Sequence, residues 1–497
     1  MAIEDHLHPW LDAYFRSPQW IKNSLGRTYA ALAPLARGRH HGRFARQAAL
    51  QDAAAVAGLA TDKLRDTLST ALTSVPAYRA YRHLLPRLER PLEVLAQLPV
   101  LSKERLRAHR AQHVSTASPP QSRMQIATGG STATPMRFYL EKGLSRAREH
   151  AFIESFQRRL GQQGRSLVLA LRGRSVPGAG TPDAPLWMIE PIKNELIFST
   201  DHLGAACMPD YVAAMRRWQP AWIHAYPSAI MPLARWLQTH PAPDVSRRVR
   251  GILLFSENVL DCHRVLLQEV FDCPVLQHYG QSERLLMAGS MPGDPRYFFY
   301  PHYGHLELLD DAGEPVTRAG TMGEIVGTSF DNRVMPFVRY RTGDMAILGS
   351  TPHARLPGFP VLDRIEGRRQ EFLVCRDARL ISINSLTTPQ YDDLRDIDDL
   401  QFEQSTPGQA TLRIVSEQPL SAAARARIVA AMMEKTGDGC QFGLEVVDRI
   451  ARTPRGKQRM LIQHLDLRDD FSGFGDGGAE SAPGAFDAHG MPGARDG

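Results

Sequence analysis

AWIHAYPSAIMPLARWLQTHPAPDVSRRVRGILLFSEN, residues 221–258, reads as strand, helix, strand. AWIHAY (221–226) and GILLFSEN (251–258) are short apolar runs that end in polar residues. Buried strands of a parallel sheet look like this, and their carboxyl ends commonly carry a site. Between them SAIMPLARWLQTH (228–240) has the texture of a helix. The same alternation extends outward. SLVLALRG (166–173) and CPVLQHYG (273–280) are further strands, and YVAAMRRW (211–218) is a further helix. Strands alternating with helices predict an α/β core.

Around that core the texture changes twice. Residues 1–120 read as mostly helical: LRDTLSTALTSVPAYRAYRHLL spaces its apolar residues by three and four, with a bend at Pro76. LSKERLRAH (101–109) starts a helix with Ser102 as N-cap. MQIATGGSTATPMRFYL (124–140) is strand, Gly-rich loop, strand. Beyond DRIEGRRQEF (363–372), TLRIVSE and FGLEVVDRI read as strands and SAAARARIVAAMMEKTGD as a helix, a small α+β unit. The expected organisation is a helical, basic region over 1–120 packed on the core, an α/β core over 121–367 that binds ATP and acyl group, a C-terminal lid over 368–466, and a disordered Gly/Asp/Ala/Pro-rich tail over 467–497.

Composition removes whole classes of function. With 43% apolar residues in 497, the chain can bury large cores, so a fibrous or wholly disordered protein is excluded. The five cysteines are odd in number and form no CxxC pair, which argues against a disulfide scaffold and for a reducing compartment. Cys262, His263 and Cys273 match no zinc-ligand spacing and read as core residues. Glu4, Asp5 and Asp12 stand where a signal peptide needs a positive start, and the uncharged run Trp218–Ala234 is interrupted by prolines and too short to span a bilayer. A cytoplasmic protein without a transmembrane segment is expected. Residues 1–120 hold 17 Lys/Arg against 9 Asp/Glu. No nucleic-acid motif accompanies that excess, so it reads as a solvated helical face rather than a nucleic-acid surface.

The chemistry-bearing stretches are individually modest. Thr128-Gly129-Gly130-Ser131-Thr132 offers small residues, hydroxyls and backbone N–H groups to an anion, though without the GK[ST] of a Walker loop; its alternative is a plain hairpin turn. Tyr279-Gly280-Gln281-Ser282-Glu283 sets an aromatic ring at a strand end, able to cover a base, and a carboxylate four residues on, able to reach a divalent cation. Arg339-Tyr340-Arg341-Thr342-Gly343-Asp344 reads as an Asp after a tight Gly turn, suited to a pair of hydroxyls. Asp363–Arg368 reads as a linker ending in an arginine, and Arg452–Lys457 as a turn presenting a lysine.

In this order and at these separations, TGGSTATP, YGQSE, RYRTGD, EGR and RTPRGK resemble the motif series of the adenylate-forming (acyl-adenylate) ligase superfamily. VPAYRAY, LPVLSKERLR, AYPSAI, FSEN and MPFVRYRTGD resemble its phenylacetate-CoA ligase-like branch, which includes ligase-like proteins of capsule loci. The likeness spans roughly residues 70–465. It implies a large multi-sheet α/β domain with a small mobile α+β C-terminal domain. It also implies ATP, Mg²⁺ and coenzyme A as cofactors and acceptor, a small carboxylic acid as substrate, and a homodimer as one option. Thr128, Gly129, Gly130, Ser131 and Thr132 would hold phosphates. Tyr279 and Gly280 would lie at adenine, Asp344 at the ribose hydroxyls, and Glu283 at Mg²⁺. Arg368 would contact the ribose–phosphate region, and Lys457 would bridge the carboxylate and the α-phosphate. Ser256 and Glu257 would border the acyl group and nucleotide. A hinge would fall at Arg369-Gln370. Gly129, Ala133 and Met136 depart from the usual loop, Met136 leaving no lysine after Pro135. The implied activity is acyl-adenylate formation followed by transfer to coenzyme A. Rival activities are transfer to an amine or hydroxyl, nucleotidyl transfer that leaves AMP on the substrate, and non-catalytic binding.

Overall fold

The computed structural model describes residues 13–14, 17–31, 40–127, 136–162, 164–172, 176, 185–200, 202–368, 371–377, 379–386, 397, 399–416, 419–451 and 458–465. Residues 128–135, Arg369-Gln370, Arg452–Lys457 and the tail expected to be disordered lie outside these.

Five strands run parallel at the centre of a 12-stranded sheet: β3 (Val168–Leu171), β5 (Glu195–Phe198), β6 (Trp222–Ala225), β7 (Gly251–Phe255) and β8 (Val275–Gly280), with β4 (Trp187–Glu190) antiparallel at the edge. β3, β5 and β6 are buried along their whole length, because helices cover both faces and apolar residues need no alternation. Beyond β8 the sheet turns antiparallel, in the spatial order β9 (Met287–Met291), β10 (Asp294–Phe299), β14 (Val361–Arg368), β13 (Tyr340–Leu348), β12 (Met322–Ser329) and β11 (Gly304–Leu309). β1 (Arg123–Ala127) and β2 (Arg137–Glu141) pair as a separate hairpin on either side of the Gly-rich stretch.

The helices include α1 (Gln19–Ala31), α2 (His41–Ala48), α3 (Ala53–Ser74), α4 (Lys103–Ala108), α5 (Ser145–Arg159), α6 (Met208–Trp218), α7 (Pro227–Thr239), α8 (Asp261–Phe271) and, in the C-terminal unit, α9 (Ala422–Thr436). Leu169, Ile223, Ile252 and Leu254 pack on one face of the sheet against Met215 of α6, Leu233 of α7 and Leu267 of α8. On the other face Trp222, Leu253 and Leu276 pack against Phe152 and Phe156 of α5 and Phe44 of α2. The N-terminal region docks through Leu64, Leu68 and Leu72 of α3 onto Phe330 and Val338. As expected, α3 ends at Ser74 and Pro76 opens a 3₁₀ stretch.

The C-terminal unit has its own core, in which Phe402, Leu412 and Ile414 meet Ile428 and Met432. Its sheet runs β19 (Gln441–Val446), β18 (Gln409–Val415), β17 (Asp399–Thr406), β20 (Leu461–Gln463), preceded by the pair β15 (Phe372–Val374) and β16 (Leu380–Ser382). Cys375 and Cys440 are buried free thiols. Among the described residues no helix is long and apolar enough to cross a membrane, and no group of three His, Cys, Asp or Glu side chains suits a metal ion. His263 accepts a hydrogen bond from the Leu260 N–H at the start of α8 (3.3 Å).

Two sequence readings are corrected. Asp363–Arg368 is no linker but the end of β14, which pairs with β13 from Leu348 to Asp344. Asp344 does not follow a free turn either. Gly343 (φ 77°) sits inside β13, where the register against β12 shifts between Arg341 and Met345. That bulge re-aims Asp344 without ending the strand.

A buried ionic knot ties the N-terminal helices to this body. Lys63 of α3 meets Asp331 at 2.6 Å and Arg148 of α5 meets the same carboxylate at 3.6 Å. Arg148 also donates to the carbonyl of Arg284 (2.7 Å) and lies 4.1 Å from the centre of the Tyr303 ring. Burial lowers the Lys63 ammonium to about 8 against the pull of Asp331. Asp331→Ala would strand two desolvated cations, so we expect a loss of about 3–5 kcal/mol, read as a fall in the urea midpoint. A loss under about 1 kcal/mol would mean that the cations find other partners.

Candidate active site

The loops after the parallel strands gather on one side of the sheet, the usual place for a ligand in such folds. At the end of β8, the Tyr279 hydroxyl donates to Asp344 Oδ2 (2.6 Å) on β13. Across the β13–β14 ladder Asp344 stands opposite Arg368, whose Nε lies 3.6 Å from Asp344 Oδ1. Tyr279, Asp344 and Arg368, from motifs far apart in sequence, thus form one cluster. The Tyr279 ring is tilted against Phe299 at 5.7 Å. Burial and the neighbouring Asp344 push the Tyr279 hydroxyl far above its ordinary range, which keeps it a donor. Desolvation would lower the Arg368 guanidinium, but Asp344, Glu371 and Glu283 outweigh it and raise it.

The backbone around Asp344 is fixed from both sides. The Thr342 hydroxyl donates to the Ile325 carbonyl (2.7 Å) and accepts from the Asp344 N–H (3.1 Å). Gly343 N–H donates to Glu324 (3.1 Å), which also pairs with Arg341 (3.1 Å). Arg339 and Arg284, inside the RYRTGD and YGQSER stretches, take left-handed backbone (φ 49° and 53°), a conformation that costs energy unless over-determined. Arg339 pairs with Glu307 (2.9 Å) and Arg284 with Ser145 (2.6 Å) and Glu149 (3.6 Å). These arginines hold the frame.

Glu283 is half-buried beside this cluster. Burial pushes its carboxyl up, while Arg368 and Lys103 pull it down. Lys103 was read from sequence only as the start of a helix. The structure brings it to the site because Leu101 is stitched to β13 by two backbone bonds flanking Tyr340, Leu101 N–H to Arg339 O (2.8 Å) and Arg341 N–H to Leu101 O (3.0 Å). Ser102 then caps α4, accepting from Arg105 N–H (3.2 Å), and Lys103 opens the helix next to Glu283 and Arg368. Burial and the Arg368 charge hold the Lys103 ammonium below the usual lysine range. The only signal in the sequence was the position of LSKERLR before the Gly-rich stretch, which says nothing about contact.

The FSEN loop closes the site on the side of the C-terminal unit. Ser256 has left-handed backbone (φ 67°) at the carboxyl end of β7. Glu257 accepts from the Ser228 N–H (2.9 Å) and hydroxyl (2.9 Å) at the start of α7, and from the Gln458 N–H (3.1 Å). Gln458 directly follows Lys457 and belongs to the C-terminal unit. Asn258 crowds Gly367 (φ 107°), where an added Cβ would fall 2.6 Å from its amide nitrogen and 2.6 Å from Glu371. The Arg368 N–H donates to Glu371 (3.1 Å). Ser256, Glu257, Tyr279, Gly280, Glu283, Asp344 and Arg368 therefore lie on adjoining strands and loops, whereas Thr128–Thr132 and Lys457 are outside the described residues.

A single half-buried carboxylate fits Mg²⁺, which is usually held by one or two protein carboxylates together with phosphate oxygens and water. Glu283, raised by burial, is the residue with that chemistry.

The chain is similar to several known proteins in sequence and fold. Residues 373–464 match the family model of the CapK C-terminal domain. The chain is 23% identical over 378 residues to protein CapK of Staphylococcus aureus, covering 74% of this chain and 80% of that protein. It is 26% identical over 198 residues to the phenylacetate-coenzyme A ligase of Pseudomonas putida, covering 36% of this chain and 42% of that enzyme. Among solved structures, 2-hydroxyisobutyryl-CoA ligase in its postadenylation state superposes with a TM-score of 0.62 at 17% identity, over 81% of this chain and 88% of that one. The same ligase in its thioesterification state gives 0.52, over 84% and 91%. The C-terminal unit thus resembles the CapK C-terminal domain, and the fold of the chain is that of adenylate-forming ligases.

Lys103 and Arg368 are the cations offsetting the burial of Glu283. Lys103→Met should therefore raise the Glu283 carboxyl further, seen as a later ionisation of its band in an isotope-edited infrared titration. An unchanged or lowered midpoint would separate the two side chains electrostatically.

Proposed function

We propose that this chain is an ATP-dependent carboxylic acid ligase that forms an acyl-adenylate and passes the acyl group to coenzyme A. The observation carrying this reading is the joining of Tyr279, Asp344 and Arg368 into one cluster beside Glu283 and Lys103. A ribose–phosphate group needs this chemistry: an acceptor for hydroxyls, cations for phosphate oxygens and an aromatic ring for the base. Asp344 retains lone pairs for two hydroxyl donors after bonding Tyr279. Arg368 and Lys103 supply positive charge at fixed points, Lys103 standing in for the lysine that Met136 replaces after Pro135. A divalent cation held at Glu283 would add neutralisation of the triphosphate.

In the first step a carboxylate oxygen of the acid attacks the α-phosphorus of ATP. A phosphorus–oxygen bond forms as the bond to pyrophosphate breaks. Negative charge accumulates, so preset cations and dipoles are the main catalytic resource. Lys457 is the proposed bridge between the carboxylate and the α-phosphate. Glu257 contributes by accepting from the Gln458 N–H, which fixes the chain immediately after that lysine. In the second step the coenzyme A sulfur attacks the acyl carbon and AMP leaves. That step requires the C-terminal unit to turn about the segment after Arg368, breaking the Glu257–Gln458 bond.

A second reading keeps the adenylation step and passes the acyl group to an amine or hydroxyl instead. Both readings need ATP and an acid, and they differ only in the nucleophile. We further propose a site in a cytoplasmic enzyme built as an N-terminal helical region, an α/β core and a C-terminal lid.

Acid-dependent exchange of pyrophosphate into ATP is expected with some member of a broad carboxylic acid panel, and AMP and a thioester should appear when coenzyme A is added. Tight ATP binding with no exchange for any acid would favour a non-catalytic protein, whereas exchange without a thioester would favour the amine or hydroxyl acceptor. Lys457→Ala should reduce exchange by about 3–5 kcal/mol in barrier, several orders of magnitude in rate. Glu257→Ala removes an ionic acceptor worth about 1.5–3 kcal/mol and should slow adenylation roughly 10- to 100-fold. It should leave the conversion of preformed acyl-adenylate to thioester nearly untouched; equal loss in both half-reactions would refute the latch.

A further inference from the structure

We infer that the acid this chain activates is a hydroxylated aromatic acid, its ring hydroxyl held by His224 and His278; the inference rests on the acyl-adenylate reading above. β6, β7 and β8 are adjacent and parallel, and alternate residues of each point to the α5 face. Trp222, Leu253 and Leu276 mark that face by packing with Phe156 of α5. Two residues beyond each of them stand His224, Phe255 and His278, one residue before the end of β6, at the end of β7 and two residues before the end of β8. Phe255 immediately precedes Ser256-Glu257, and His278 immediately precedes Tyr279. Phe255 and His278 are thus one residue removed from the adenylation machinery, with His224 on the neighbouring strand β6, where the tail of a bound acid would lie.

The surroundings are aromatic. The His278 ring is stacked between Phe255 (5.1 Å, 18°) and Phe156 (5.4 Å, 4°). Phe156 reaches the sheet because Gly289, opposite His278 on β9, has no side chain; a Cβ there would fall 2.2 Å from the Phe156 ring. Tyr226 meets Phe255 edge-on at 5.4 Å. An aromatic ring of the ligand would find face and edge partners among these side chains.

The polar features are the unusual part. His224 is only 6% exposed. Its Nε2 and the Nδ1 of His278 are buried without a hydrogen-bond partner among the described residues. Buried polar atoms are nearly always paired, so each of these nitrogens has bonding capacity left for a ligand hydroxyl. Burial, with Arg172 adding to it and Glu195 opposing, lowers His224 to about 4, and burial with His224 nearby lowers His278 to about 3. Both rings are therefore neutral near pH 7, each with one donor and one acceptor nitrogen. Arg172 at the end of β3 is ion-paired with Glu195. A second carboxylate or an ammonium on the acid would meet no opposing charge there. A hydroxyl, donor and acceptor at once, matches two neutral imidazoles.

The test is pyrophosphate–ATP exchange by the full chain with matched acids: benzoate against 3- and 4-hydroxybenzoate, and phenylacetate against 3- and 4-hydroxyphenylacetate. The hydroxylated member of at least one pair should show kcat/KM higher by about tenfold or more, since a site built to bond a hydroxyl rejects its absence. In His278→Phe, which keeps a stacked ring, and in His224→Leu, that ratio should fall toward one through loss on the hydroxylated acid. Equal exchange of both members of every pair by the unaltered protein would overturn the inference and leave the ligase reading standing. Variants that slow both members alike would also overturn it, assigning the imidazoles to packing. Should neither variant fold, the ratio in the unaltered protein decides alone. No exchange with any acid would remove the ligase reading and this inference together.

Discussion

The Asp344 carboxylate is shared between the hydroxyl of Tyr279 and the guanidinium of Arg368, and the geometry of the site follows from that sharing. Tyr279 ends the parallel half of the sheet; Asp344 and Arg368 lie in its antiparallel half. A carboxylate bonded from both halves fixes their strand ends relative to each other. It also fixes where β14 must stop, because Arg368 is both the partner of Asp344 and the last residue before the C-terminal unit. The Gly343 bulge makes this arrangement attainable, since a regular ladder would keep the strict alternation of β13.

Around that centre the protein places its cations by backbone stitching. Lys103 comes from the helical N-terminal region, yet the Leu101–Tyr340 bridge fixes its entry point as firmly as a strand would. The Lys63–Asp331–Arg148 knot performs the same task farther out, and its Arg148 also holds the carbonyl of Arg284 beside Glu283. The basic excess in residues 1–120 is thus partly structural: Lys63 and Lys103 meet carboxylates of the core, while other arginines there remain on the solvated face.

Much of the fold was readable because buried parallel strands and the helices between them leave strong local patterns, as in residues 221–258. The order of the motifs carried the family resemblance, and Tyr279, Asp344, Arg368 and Glu283 do converge. Local patterns failed where pairing partners are distant. Nothing in DRIEGR announces a strand, because its pairing with RYRTGD is long-range. RYRTGD looked like a turn because a Gly before an Asp has the same appearance in a bulge. Lys103 was silent for the same reason: the bond that brings it to the site belongs to Leu101. His224 and His278 read as ordinary core residues, and it is their unpartnered nitrogens together with their place at the strand ends beside Phe255 and Tyr279 that set them apart.

The four-residue FSEN loop has a wider consequence. Phe255 faces the acid side, Glu257 holds the chain after Lys457, and Asn258 abuts Gly367 at the pivot. A single short segment therefore reads the occupant and grips the moving unit. Adaptation toward a new acid through this loop would alter the timing of the cycle as well, so new specificities should be more accessible from β6 or α5, which change the chamber without touching the clutch.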